Sequence, residues 1–553
     1  MSPYRFYCGL GLFCLSASAL AAPLPGGVDA GQLQKRFEPQ QGPQARPKAL
    51  VVPNTGGIEA PEGAETMRFN LSEILLDGAS VFPQAELQAI YGQHLNTTVS
   101  LKQVYQIAAD ISAHYGNAGY LLSRAFVPPQ TIEAGQVKIR VVEGYVDQVL
   151  IEGMDDRRPE LFQHYIDQIT ASRPLRAQVL ERYLLLANDL PGVNFKSVLE
   201  PSKENVGAAL LKLTATRKAY TGGFSLDNRG SETSGPWQVL LEGTANDLTR
   251  RLDSTTLRFA TVPNSPEELR YWQLSHQQVL NAEGLRLELD ASKTDSQPGG
   301  SVLQQLEVET RSRNLGAALS YPLIRSRDQN LSLSGSLTAR LSETLQLGTP
   351  TRDDLSILRL GAVYDRADAW AGGGVNLLSA TLSQGLSIWG AQVNSRANAK
   401  PSFTKLELQA RRSQQLAERW SADLRLNGQY TSGSLPSSEE FGLGGERSLR
   451  GYEPSEWTGD KALTASLEVR YQVPVQWQGD MQIYGFVDGG KIWRNDPQAG
   501  QLASLSADSL GFGARFGLPQ DISLNLEAAR ANDEHADGEK PGWGLYGRLL
   551  LQF

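Results

Sequence analysis

Leu463-Thr464-Ala465-Ser466-Leu467-Glu468-Val469-Arg470-Tyr471-Gln472-Val473 alternates without a break. The odd positions are apolar and the even ones polar or charged. That is the period of two that a strand makes by turning successive side chains to opposite faces. Residues 420–430 repeat it: Trp420, Ala422, Leu424, Leu426, Gly428 and Tyr430 form one face. Ser421, Asp423, Arg425, Asn427 and Gln429 form the other. Segments 285–291, 331–341, 405–411 and 520–528 alternate likewise. A water-soluble sandwich also alternates, one face in and one out. Here the interleaved residues are heavily charged and the segments run about ten residues, the length a tilted strand needs to cross a bilayer.

Working outward, sixteen such segments lie between Phe224 and Phe553. The gaps alternate between short (475–479, 518–520) and long (294–308, 432–462, 490–506), as in a barrel with turns on one side and loops on the other. The chain ends Leu549-Leu550-Leu551-Gln552-Phe553, an aromatic closing an alternating strand. The predicted fold over 218–553 is a sixteen-stranded antiparallel transmembrane β-barrel with a long inward loop at 432–462.

Before residue 218 helical periodicity appears, and the predicted class is α+β. Residues 67–143 read as strand (Phe69 to Leu76), helix (Pro83 to Tyr91), helix (Ser100 to Tyr115) and two strands (Leu121 to Val127, Val137 to Val142). Ser100 suits a cap, and Leu101, Val104, Ile107, Ala108 and Ile111 share one face. Residues 144–217 repeat this order: Val146 to Ile151, Pro159 to Ile169, Leu175 to Leu190, Phe195 to Leu199, Ala208 to Leu213. Two units of about 75 residues with one β-α-α-β-β pattern make an internal repeat. Further back, 41–66 is rich in Pro and Gly and reads as a linker. In 23–40 one island stands out, with Asp29 suited to capping a helix and Val28, Leu33 and Phe37 on one loose face.

Residues 1–22 read as a signal peptide. Arg5 gives a positive start, Cys8 to Leu15 are mostly apolar, and Ala19-Leu20-Ala21 offers small residues before cleavage. Both cysteines, Cys8 and Cys14, lie in it, so the mature chain would carry no disulfide, thiolate metal site or cysteine nucleophile.

The net charge of −8 and pI near 5.4 come without a basic face, which argues against nucleic acid. Mean hydropathy is −0.32, too polar for a bundle of membrane helices. His94, His114, His164, His276 and His535 are scattered, without metal-ligand spacing. Gly442-Leu443-Gly444-Gly445 opens no helix, so it reads as a loop rather than a phosphate cradle. The reading is a non-enzyme without cofactor or metal.

The longest loop carries Phe441-Gly442-Leu443-Gly444-Gly445-Glu446-Arg447-Ser448-Leu449-Arg450-Gly451-Tyr452. The segment 480–489 ends Tyr484-Gly485-Phe486-Val487-Asp488-Gly489. Alternation turns Met481, Ile483 and Val487 outward, and Tyr484, Phe486 and Asp488 into the lumen. An inward loop tipped by Arg450-Gly451-Tyr452 would meet the Asp488 carboxylate, which suits the planar guanidinium fork.

With these motifs the chain resembles the two-partner secretion outer-membrane transporters, the haemolysin secretion/activation type within the Omp85 superfamily. Asp29-Ala30-Gly31-Gln32-Leu33 resembles the family's plug helix, with Leu33 and Phe37 on it. Val127-Pro128-Pro129-Gln130, Gly135-Gln136-Val137 and Glu143-Gly144 resemble the end of its first POTRA domain. Leu449-Arg450-Gly451-Tyr452 resembles the superfamily's sixth-loop motif, with Leu where Val is commoner. Phe486-Val487-Asp488-Gly489 resembles the partner motif on the barrel wall.

The resemblance implies POTRA domains at 67–143 and 144–217, in the periplasm, capturing an unfolded exoprotein. The barrel in the outer membrane would conduct it to the surface without ATP. An exposed strand edge pairs with an extended chain through backbone bonds, and the expected groove lies along Leu121, Ala125 and Val127 at the edge of the first POTRA sheet. The implied partners are a large exoprotein with an N-terminal secretion domain (adhesin, haemolysin or toxin), outer-membrane lipid and lipopolysaccharide, and periplasmic chaperones and the barrel-assembly machinery during biogenesis. Two alternatives stand beside this: a barrel-assembly and insertion factor of the same superfamily, and a general diffusion porin.

Overall fold

Alternation over the second half of the chain produces a closed wall. A computed structural model describes residues 26–38, 42–45, 60–154, 158–202, 204–497, 501–536 and 538–553. The expected signal peptide at 1–22 and much of the expected linker lie outside them. After a 3-10 turn at Gly26–Val28, α1 (Ala30–Phe37) begins where Asp29 accepts from Gly31 N at 2.8 Å and Gln32 N at 3.0 Å. This is the N-cap bond that satisfies a helix's first free amides.

Next come β1 (Arg68–Leu71), β2 (Glu73–Asp77), α2 (Gln84–Tyr91), β3 (Thr97–Ser100), α3 (Leu101–Asn117), β4 (Arg124–Phe126) and β5 (Gln136–Val142). The three-stranded sheet runs β2-β5-β4, with β2 parallel and β4 antiparallel to β5. Ser100 and Gln103 form a reciprocal capping box at the start of α3, and Val104, Ile107, Ala108 and Ile111 are buried beneath it.

Two expectations need correction. The strand Phe69 to Leu76 is two strands. Gly135, at φ +74°, packs against the chain so closely that an added Cβ would lie 2.0 Å from Asn70 O, and Ser72 N donates to Gly135 O. The chain breaks there, and β1 leaves to pair with β3. The strand Leu121 to Val127 shrinks to three residues, with Leu121 in the preceding turn.

The second unit follows the same topology. Its elements are β6 (Tyr145–Glu152), α4 (Pro159–Ala171), α5 (Ala177–Asn188), β7 (Val193–Pro201) and β8 (Ala208–Arg217), with the sheet β6-β8-β7. Glu143, between the units, accepts from Ser80 N, Val81 N and Tyr115 Oη at 2.6, 2.9 and 2.8 Å. Burial pushes this carboxyl up, but those bonds outweigh it and hold it below the usual range.

The barrel strands are β9 (Tyr220–Asp227), β10 (Gln238–Asn246), β11 (Asp253–Thr261), β12 (Arg270–Val279), β13 (Arg286–Ser296), β14 (Glu309–Arg325), β15 (Gln329–Gln346), β16 (Thr349–Asp368), β17 (Gly374–Leu386), β18 (Thr404–Ala417) and β19 (Trp420–Thr431). A short hairpin in the long loop supplies β20 (Phe441–Leu443) and β21 (Trp457–Gly459). The wall resumes with β22 (Lys461–Val473), β23 (Asp480–Trp493), β24 (Ser504–Leu518), β25 (Ile522–Ala531) and β26 (Trp543–Gln552). These sixteen wall strands close, β26 pairing with β9. Only five residue pairs join that seam, Arg548↔Asp227 to Gln552↔Gly223. The Asn228 side chain continues it, donating to Leu545 O and accepting from Gly547 N. At the other end Gly222 and Phe553 exchange backbone bonds of 2.9 and 3.0 Å.

The outer face carries exposed Leu274, Leu315, Leu408, Leu463 and Leu526, flanked by Trp272, Tyr430 and Trp543. An apolar band with aromatic edges is the surface a bilayer covers. On the short-turn side the second unit docks on the barrel. Leu252 and Val279 join its core cluster, Arg325 forks onto Asp189 at 2.7 Å, and Glu283 accepts from Arg182 and Tyr183 at 2.8 Å.

Candidate functional site

Inside this wall, loop 432–460 folds back into the lumen. It is driven there by side chains that cannot face water: Leu443, Leu449, Tyr452 and Trp457 pack with Ala462, Ile492, Ala507 and Ala531. Gly490 admits the loop, since a Cβ there would lie 2.6 Å from Leu443. Gly451 lies so close to the β25 backbone that a Cβ would fall 2.7 Å from Ala531 N and from the Arg530 carbonyl carbon. Backbone cannot move aside as a side chain can, so only glycine fits between Arg450 and Tyr452.

Arg450, 5% exposed, reaches two carboxylates. Its Nε donates to Asp488 Oδ2 at 3.0 Å and its Nη2 to Asp488 Oδ1 at 2.9 Å, while its own amide donates to Oδ2 at 3.1 Å. Its Nη1 donates to Glu468 Oε2 at 2.5 Å, and the guanidinium lies 3.4 Å from the centre of the Phe486 ring. Fork, amide and ring together fix the tip in position and orientation. Tyr452 is buried, accepts from Asp533 N at 2.9 Å, donates to Asp508 O at 3.1 Å, and packs on Trp457 and His535.

Phe486 and Tyr484 lie over Gly511 and Gly513 of β24, where a Cβ would come within 2.4 and 2.5 Å of the rings. Gly489 differs: alternation turns it away from the lumen, and an added Cβ would meet nothing within 4 Å. The loop-packing glycine is its neighbour Gly490.

The alternating sequence did not single out three further anchors. Glu468, an even position of the stretch that decided the fold, also accepts from Arg470 at 2.6 Å and Arg515 at 2.8 Å. Glu439 is 1% exposed and is held by Arg340, Arg359 and Lys405 at 2.8 to 2.9 Å. Asp460 accepts from Arg396 at 2.8 Å and from Leu435 N at 2.7 Å. The usable signal was an inward Arg or Lys on each of several strands, which demands a carboxylate somewhere in the lumen.

The rest of the lumen holds α1. Leu33 packs with Val262 and Leu269, and Phe37 stacks on Tyr271 at 5.0 Å. Arg36 pairs with Asp227 on β9 and donates to Gln238 at 2.7 Å. On the other side Lys35 donates to Glu440 O at 2.9 Å, and Gln32 to Ser437 O at 2.8 Å and Glu440 O at 3.0 Å. Gly31 permits this approach, because a Cβ would fall 2.7 Å from Ser438 Cβ. Helix and loop thus interlock across the lumen. Residues 42–45 lead away along β16, with Gln44 N and Ala45 N donating to Asp365.

The expected groove is partly closed. Strand β4 is an edge, beside α3, but Ser112 on α3 accepts from Ala125 N at 2.8 Å and lies 3.2 Å from Ala125 O. Val127 is buried in the domain core, and Leu121 is not on the strand. With the Ala125 amide turned to α3, alternation turns that of Arg124 toward β5.

Comparison with known proteins adds a lineage. Residues 209–514 match the family described as haemolysin secretion/activation protein ShlB/FhaC/HecB, and residues 69–144 match the POTRA domain of ShlB type. The heme/hemopexin transporter protein HuxB of Haemophilus influenzae (strain 86-028NP) is 25% identical over 544 residues, covering 95% of this chain and 94% of HuxB. The outer membrane transporter CdiB of Dickeya dadantii (strain 3937) is 24% identical over 527 residues, 90% of each. The structure of CdiB from Escherichia coli superimposes with a TM-score of 0.71 at 18% identity, over 96% of this chain and all of that one, a likeness of fold.

Proposed function

The chain belongs to the haemolysin secretion/activation protein family, and from that premise we propose how its lumen serves export. It is an outer-membrane transporter of the two-partner secretion type, passing a partner exoprotein from the periplasm to the cell surface. One observation carries the proposed path: two elements fill the lumen, and α1 is tied to the loop through polar contacts. Lys35 and Gln32 bond carbonyl oxygens of the loop, and water or a passing chain can replace such bonds.

In this reading α1 is a plug that withdraws toward the periplasm, where residues 42–45 already point. The Arg450 clamp keeps the loop folded against the wall, so that a polar path opens beside it. An extended exoprotein enters by pairing with the β4 edge, displacing Ser112 from Ala125. A chain that folds once outside cannot slide back, and that supplies direction without a nucleotide.

The test is co-expression with the exoprotein encoded in the adjoining reading frame. The exoprotein should reach the medium only when this chain is present. An exoprotein that stays periplasmic while other barrels fail to insert would make the chain an assembly factor. Uptake of small solutes without export would make it a porin.

A further inference from the structure

On the lipid side of β12, β13 and β14 the register lines up three rungs near the long-loop rim. Leu274, Ala291 and Leu315 are partners across the strands; two residues outward come Trp272, Lys293 and Arg313; two further come Arg270, Asp295 and Arg311. Leu315, at 66% exposed, ends the apolar row of β14, and Lys293 and Arg313 are exposed immediately above it. Arg270, Lys293, Arg311 and Arg313, with Glu267, Asp295 and Glu309, line a cleft of ≈ 470 Å³.

Like charges directly opposite each other on one sheet face repel, and cations on a lipid-facing wall carry a further desolvation cost. Some charge is matched: Lys293 pairs with Asp295 at 2.5 Å and Arg311 with Glu309 at 2.9 Å. Arg270 donates to the Pro266 carbonyl, and among the described residues Arg313 and Arg270 pair with no carboxylate. The cleft thus holds four cations against three carboxylates, and Arg270 and Arg313, the latter directly opposite Lys293, stand without an ion pair near a belt tryptophan, at the depth where lipid headgroups lie.

We propose that this face binds the phosphate of an anionic glycolipid of the outer leaflet, with Lys293 and Arg313 flanking the phosphate and Arg270 closing the outer side. The phosphate turns the opposed pair from repulsive to bridged, and the acyl chains continue down over Leu315 and Leu274. A free phosphate ion lacks that second contact, so the headgroup rather than the ion is the ligand. The inference rests on the barrel's place in the outer membrane and not on what the lumen conducts.

The test uses the full chain in phosphatidylcholine nanodiscs, with diphosphorylated lipid A, its dephosphorylated form, or inorganic phosphate added, and bound glycolipid read by native mass spectrometry. The wild type should retain diphosphorylated lipid A, and Lys293→Gln/Arg313→Gln should bind it about tenfold more weakly. Arg313→Gln alone should fall between. Unchanged heat-modifiable mobility of both variants would certify an intact barrel. Equal retention by wild type and double variant, equal retention of the dephosphorylated form, or full competition by millimolar inorganic phosphate would each overturn the proposal.

Discussion

Arg450 sits between two carboxylates that are not equivalent. Glu468 keeps Arg470 and Arg515 if Arg450 is lost, whereas among the described residues Asp488 keeps only the residue-450 amide and Ser509 Oγ at 3.4 Å. A surface ion pair is worth about 0–1 kcal/mol, but stranding a buried partner costs roughly 3–5 kcal/mol. Arg450→Ala should therefore free the loop tip and cut exoprotein secretion at least about tenfold, while the barrel stays inserted and heat-modifiable. Asp488→Asn should be milder, because Arg450 retains Glu468. Arg450→Lys should rescue in part, lacking the fork and the Phe486 face. Export and electrophoretic mobility measured together check this, and the double variant should be no worse than Arg450→Ala; additive defects would mean the two do not act as one clamp. Asp488 was legible because strand parity fixes which side chains face inward. Glu468 was visible as an inward charge but its partner was not, since contacts across a lumen leave no periodic trace. The glycines at 511 and 513 were equally silent, because a ring lying over a neighbouring strand is a matter of register.

At the scale of elements, α1 and α3 each cover something that opens in the proposed path. Deleting residues 23–40 should raise and steady single-channel conductance while export continues. Gly31→Leu should act in the same direction, since its side chain meets Ser438 where an added Cβ already lies at 2.7 Å. Conductance unchanged in both would show that α1 does not occlude the path. On α3, Ser112→Ala removes the hydroxyl that competes for Ala125. Binding of the exoprotein's secretion domain should then tighten several-fold by calorimetry, and weaker or equal binding would move the entry site off β4. Long periodic elements such as α3 and the wall strands could be read from sequence. The break at Ser72 and the shortening of β4 could not, because tight packing at Gly135 and capture by Ser112 are tertiary events.

At the scale of the whole molecule, the second POTRA-like unit is fastened to the barrel through Glu283. Burial pushes this carboxyl up, yet bonds from Arg182, His164 and Tyr183 outweigh it and leave it below its ordinary value of 4.5. Burial, and then Glu283, push the Tyr183 hydroxyl up to about 12. A depressed carboxyl lends stability that is complete above its ordinary value and lost as pH falls through the docked one. Hydrogen exchange should find the turn at 280–285 progressively less protected on acidification below 4.5. Glu283→Gln should abolish that dependence, and protection independent of pH in the wild type would refute the role. The narrow seam has a consequence in time rather than in space. Strands β9 and β26, joined by five pairs, are about 330 residues apart in the chain, and closing so distant a contact is slow. β9 must therefore wait, its edge unsatisfied, while fourteen other strands find their neighbours. A nascent chain in that interval is a ribbon with two sticky borders, vulnerable to pairing with the wrong molecule. Late closure is thus a property of the strand order itself.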